Sequence, residues 1–269
     1  MIARIHLKKS LDDLYDMFNR RDYVHPDPVE FLYRYEDVRD RELAGLFAAC
    51  LAFGRVVQIN KSVERILDIV ESPRHFVEQQ PFSAKVNPFA GFKHRFVTGK
   101  NIQALWLAIK KITDRFGSLE FLWRSLSKNG ELPVETVLGD FCHDIRQAAY
   151  PLDCGFLVPN PAGNSAFKRI NLFLKWMSRH DAVDPGGWNI LSPSQLIVPL
   201  DTHVHRFAMR LGMTCRRAAD LTSALEITDY LSELNPSDPV KYDFIITRAG
   251  MNRQVAAVFQ TRIFNSSYC

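Results

Sequence analysis

The sequence predicts an all-α fold. Three observations carry this expectation. Apolar residues recur at helical spacing through most of the chain. Glycine and proline fall between those periodic runs rather than inside them. Strand signals are confined to short β-branched pieces such as "LIVP", with no alternating run closed by a hairpin turn. The pattern divides into about ten helices.

Taken in order, "SLDDLYDMFNRR" opens with Ser10 as N-cap and sets Leu11, Leu14, Met17 and Phe18 on one face. "HPDPVEFLYRYED" is a proline-punctuated link. "DRELAGLFAACLAF", from Asp40 to Phe53, is apolar on nearly every side, so it belongs in the interior, and Gly54 stops it. "VVQINKSVERILDIVES" is the next helix, closed by Pro73. "NPFAGFKHRFVTGKN" is aromatic, basic and glycine-punctuated, which reads as a loop or short turns. "IQALWLAIKKITDRFGSLEFLWRSL" gives a long helix, a break at Gly117 and a second helix. "VETVLGDFCHDIRQAA" is helical, and "YPLDCGFLVPNPAGN" is a linker rich in proline and glycine. "SAFKRINLFLKWMSRH" is an amphipathic helix. "DAVDPGGWNILSPSQLIVP" is a long connection. "DTHVHRFAMRLG" is a helix ending at Gly212, and "SALEITDYLSELNP" and "PVKYDFIITRAGMNRQVAAVFQTRIF" complete the set.

Composition narrows the classes. The chain of 269 residues is 46% hydrophobic and 24% charged, the balance of a soluble globular protein. No run of about 18 apolar residues occurs, so no membrane span is expected. The N-terminus turns charged too soon for a signal peptide, which makes the cytoplasm the expected compartment. The cysteines, Cys50, Cys142, Cys154, Cys215 and Cys269, form no CxxC pair and no cluster, which argues against a zinc ribbon or an iron–sulfur centre. Net charge is +4, which permits a polyanionic partner without requiring one.

The stretch "LIVPLDTHVHRFAMRLG" holds the candidate chemistry. Val204, Phe207, Ala208 and Leu211 make one apolar stripe, which places Asp201 at the N-cap of a helix. A cap alone stabilises by about 1 kcal/mol and needs no further role. His203 and His205 form an HxH pair that on a strand would share a face and suit a metal-dependent hydrolase. On a helix, residues two apart do not face each other. Too few residues follow His205 for the roughly 250-residue barrel that such hydrolases use. No metal and no other cofactor is therefore expected.

"VPLDTHVHRFAMRLG" resembles the segment of the helix-hairpin-helix DNA glycosylases that carries their catalytic aspartate. The match runs through Leu200, Asp201, Thr202, His203, Val204, Arg206, Arg210, Leu211 and Gly212. "RELAGLFAACLAFGRVVQINKSVERILDIV" resembles the first helix pair of that fold, whose turn supplies a residue that fills the gap left by an extruded base. Here that turn spans Leu51 to Arg55. "YDFIITRAGMN" is similar to a late helix of the fold. The chain as a whole also resembles an uncharacterised bacterial family of conserved hypothetical proteins.

There are departures. The usual Leu-Pro-Gly-Val-Gly hairpin is replaced by "DAVDPGGWNILSPSQL", and no lysine stands at the usual place before Asp201. The longer hairpin is closer to the archaeal 8-oxoguanine glycosylases, whose lysine lies on the preceding helix. That points to Lys168 in "FKRINLFLKWM", with Lys175, seven residues on and on the same face, as the alternative.

The resemblance implies two helical lobes, 43–150 and 1–42 with 155–269, around a central cleft with an atypical long hairpin. It implies a monomer that binds double-stranded DNA containing a damaged base, without a membrane partner. The activity implied is excision of an oxidised purine such as 8-oxoguanine, with AP-lyase activity if an amine reacts. Asp201 would stabilise the oxocarbenium charge and Lys168 would be the nucleophile. Leu51, Phe53, Arg55, Trp176, His203 and Arg206 would contact the substrate, and Gly186 and Gly187 would offer amides to a phosphate. Lys93 to Arg95, and Arg216 with Arg217, would meet the backbone. Two other readings stay open: a nucleic-acid-binding protein without turnover on the same fold, and a metal-dependent hydrolase using His203 and His205.

Overall fold

The computed structural model describes residues 2–79 and 87–264. Cys269 lies outside them. Among the described residues the chain is all-α, with twelve α-helices and one two-stranded sheet. None of these helices is long and apolar enough to cross a membrane.

Helix α2 (Val38–Cys50) is the centre of the molecule, and every residue from Glu42 to Cys50 is buried. It packs against the 3-10 segment Pro28–Arg34, α3 (Val56–Val70), α4 (Pro73–Gln79) and α8 (Lys168–Ser178). Helices α5 (Gly99–Phe116), α6 (Leu119–Leu126) and α7 (Val134–Ala148) pack on one another. Helix α1 (Ile2–Phe18) contacts α10 (Leu221–Leu234), α11 (Asp243–Ala249) and α12 (Arg253–Phe264), and α11 also packs on α9 (Thr202–Arg210).

The structure corrects the expected elements in three places. Helix α1 begins at Ile2, so Ser10 lies inside it and caps nothing. From Arg4 to Lys9 the first turns are largely exposed, Ile5 included, so no buried stripe marks them. The aromatic segment read as a loop or short turns contains a tight hairpin, β1 (Lys93–His94) and β2 (Val97–Thr98), with Lys93 opposite Thr98 and His94 opposite Val97. Arg95 at its tip has φ +54°. A side chain held in this region costs on the order of 1–3 kcal/mol. Helix α8 starts at Lys168, not Ser165, behind Phe167 at φ +49°.

One buried carboxylate joins three segments. Glu42 on α2 accepts hydrogen bonds from Leu119 N (3.2 Å), Glu120 N (3.0 Å) and Trp188 Nε1 (2.9 Å). Burial lifts its pKa to about 7 against the pull of those donors. Glu42→Leu leaves three buried donors unpartnered, and each carries a penalty of about 1–3 kcal/mol. The expected result is a clear loss of stability in urea unfolding.

Candidate functional site

Residues 196–200 run extended and mostly buried into α9, and Val198 N donates to Thr228 Oγ1 on α10 at 3.0 Å. This fixes where α9 begins. Asp201 is its N-cap, and Oδ1 accepts from both His203 N and Val204 N at 2.8 Å. The second carboxylate oxygen takes no part in the cap. Asp201 also lines a cavity of about 630 Å³. That is the size of a small-molecule site.

The same cavity receives Lys168 from the first turn of α8, Lys175 and Trp176 about two turns further on, and Phe53 from the turn after α2. Leu172 and Phe156 add apolar wall. Lys168 is half-buried, and its Nζ lies 3.4 Å from the carbonyl of Ala52. The adjacent Arg169 also lines the cavity, beside its rings. It donates to the carbonyls of Cys50 and Phe156, and it lies 5.5 Å from the Phe53 ring centroid and 4.3 Å from that of Phe156.

The two lysines differ completely in setting. Lys175 is 1% exposed, and its Nζ lies 3.2 Å from both Asp184 Oδ1 and Asp243 Oδ2. Burial disfavours its charge, but the two carboxylates outweigh burial and hold the ammonium above its ordinary pKa. A nucleophilic amine has to be neutral, so Lys175 is an ionic anchor of the cavity floor. A chain of buried charge continues outward from it. Arg179 pairs with Asp184, with Asp181 at 2.8 Å and with Asp238 at 3.0 Å.

Asp243 was not foreseen from the sequence. It opens α11, is 5% exposed, and borders the cavity near Asp201. Burial raises its pKa to about 6, and the charge of Asp201 adds to the rise while Lys175 opposes it. Its only sequence signal was an acidic residue at the start of a short helix, which ordinary dipole compensation also explains. Between its unfolded and folded pKa values the native protein binds the extra proton. Stability from this group therefore rises as pH falls from about 6 towards 4. Asp243→Asn is expected to flatten that slope when urea unfolding of the two proteins is compared across the window.

Other expected contacts are placed differently. Leu51 is fully buried at the end of α2, so it cannot enter a gap in a base stack. Arg55 is exposed at the start of α3, and Arg206 faces a separate groove between α9 and α12; neither lines the cavity. Gly186 N already donates to the carbonyl of Trp176 at 3.0 Å. Gly187 has φ +140°, and a Cβ there would come within 2.8 Å of Val38 Cγ1. The pair is a packing turn between α8 and α2, which is why glycine is needed. His203 lines the cavity, and its ring packs so closely on Gly250 that a Cβ there would overlap it. His205 Nε2 meets the carbonyl of Arg216 at 3.0 Å. The two histidines therefore diverge. Among the described residues no three His, Cys, Asp or Glu side chains converge as a metal site. Arg216 is paired with Asp220 at 2.8 Å, and His94 is buried. Cys50, Cys142 and Cys154 are free, and burial raises each thiol pKa.

Among the described residues, the fold and site define an all-α protein with a largely apolar cavity that holds an aspartate cap, a half-buried amine and a buried lysine–carboxylate floor. The chain belongs to the family described as a protein of unknown function (DUF2400), whose model matches residues 27–252. No curated protein and no solved structure matches it.

Proposed function

We propose that the protein is a DNA base-excision glycosylase of helix-hairpin-helix type, acting on an oxidised purine such as 8-oxoguanine, with AP-lyase activity through Lys168. The observation that carries this reading is the meeting of Asp201 and Lys168 in one aromatic-lined cavity. An extruded base needs a pocket that repays the few kcal/mol of unstacking, and Phe53 and Phe156 offer rings, with Trp176, 1% exposed, packed into the wall behind.

The bond broken is the N-glycosidic bond, and its electron pair leaves with the base. The sugar gains oxocarbenium character, which the fixed carboxylate of Asp201 stabilises. Lys168, as the neutral amine, forms a bond to C1′ and loses a proton. The C1′–O4′ bond then breaks, its electron pair and a proton going to O4′, and the iminium so formed permits loss of a C2′ proton and β-elimination of the 3′-phosphate. Double-stranded DNA with a damaged base is the proposed partner. Base release from duplexes carrying 8-oxoguanine, uracil or an alkylated purine tests the activity. Release from the oxidised purine is expected. Tight binding without release from any duplex, unaltered in Asp201→Asn, would instead favour a nucleic-acid-binding protein without turnover.

A further inference from the structure

Three rings run from inside the cavity to its outer rim. Phe53 lines the cavity. Phe96, at the tip of the β1–β2 hairpin, lies parallel to it with centroids 5.8 Å apart. Phe156 meets both edge-on, at 4.9 Å from Phe53 and 5.1 Å from Phe96. The outer two are unusually open, with Phe96 60% and Phe156 49% exposed. A single exposed phenylalanine needs no explanation. Two in contact, continuous with a cavity, do.

Cations frame the rings. The Arg95 guanidinium lies 5.2 Å from the Phe96 centroid, and Arg169 lies 4.3 Å from that of Phe156. Lys93 and Arg55 are exposed nearby on the hairpin and at the start of α3. The hairpin is also held in place. His94 is buried between Ser62 Oγ (2.9 Å) and the carbonyl of Phe53 (3.1 Å), which ties the tip to the cavity wall. The strained φ of Arg95 is retained at that tip, where glycine would relieve it.

A flat apolar face beside a negative charge complements this collar. Nucleobases joined by phosphates have that form, and stacking on aromatic side chains with flanking arginine is how unpaired bases are held. We propose that Phe96, braced by Phe156 and Arg95, is a second nucleotide subsite, where the base next to the one in the cavity stacks. This rests on the reading of the cavity as a nucleobase site. It assigns to the hairpin a contact that the buried Leu51 cannot make.

The test uses the full chain and a short fluorescein-labelled duplex containing an abasic-site analogue. Phe96→Ala should weaken binding about fivefold or more, with the salt dependence unchanged, because a ring carries no counterion term. Arg95→Ala should lower the salt slope by about one phosphate contact. Phe96→Trp should bind like the wild type and show quenching on binding beyond that of the native tryptophans. Base release by the wild type is measured in parallel on a lesion-bearing duplex. Release together with wild-type affinity in Phe96→Ala and no added quenching in Phe96→Trp would overturn the subsite and leave the excision reading standing. Stacking without release would support the subsite and overturn the excision reading. An oligonucleotide that does not bind at all would overturn both.

Discussion

Asp201→Asn is expected to reduce base release by at least about a hundredfold while leaving the fold intact. The substitution removes the negative charge that stabilises the oxocarbenium ion, a loss that at comparable electrostatic positions is about 10²–10³ in rate. It keeps the cap, because the Asn side-chain oxygen also accepts from the amides of His203 and Val204, and Asn is as good an N-cap as Asp. Asp201→Ala removes charge and cap together and should cost about 1 kcal/mol of stability as well. The pair of variants thus separates the two roles of this carboxylate. Full activity in Asp201→Asn, measured under single-turnover conditions, would reduce Asp201 to a helix cap.

Lys175→Met is expected to destabilise the protein by about 3–5 kcal/mol at neutral pH, the usual cost of breaking a buried ion pair from one side. It strands Asp243 and deprives Asp184 of one of its two cations. Adding Asp243→Asn should recover part of the loss, since the stranded charge is then gone. Urea unfolding of the single and double variants measures this directly. A single variant within about 1 kcal/mol of the wild type would mean that water replaces the ammonium there and that the floor is not dry.

These two results depend on features that the sequence reveals unequally. The helix of Asp201 was legible because its stripe of Val204, Phe207 and Ala208 is a local pattern, and all three are buried. Its cap followed from the same pattern. The helix α2 was legible from its apolar run. The choice between Lys168 and Lys175 was not, since seven residues on a helix put both on one face. What separates them is Asp184 and Asp243, brought in from the connection after α8 and from α11, and no local spacing announces either partner. The glycine pair misled for a related reason. Gly186 and Gly187 look like a phosphate cradle in isolation, but α2 and α8 pack against the turn. The β1–β2 hairpin escaped notice because strands of two residues have no alternation to read.

Borohydride trapping on a duplex containing 8-oxoguanine or an abasic site is the most direct test of the proposed cavity chemistry. A reducible iminium between protein and DNA forms when an amine attacks the sugar, and its loss in a lysine variant names that amine. The expected result is a covalent adduct with the wild type, its loss in Lys168→Gln, and its persistence in Lys175→Arg, which keeps the buried charge. An adduct that survives Lys168→Gln, or no adduct with any duplex, would contradict the assignment of Lys168 as the nucleophile.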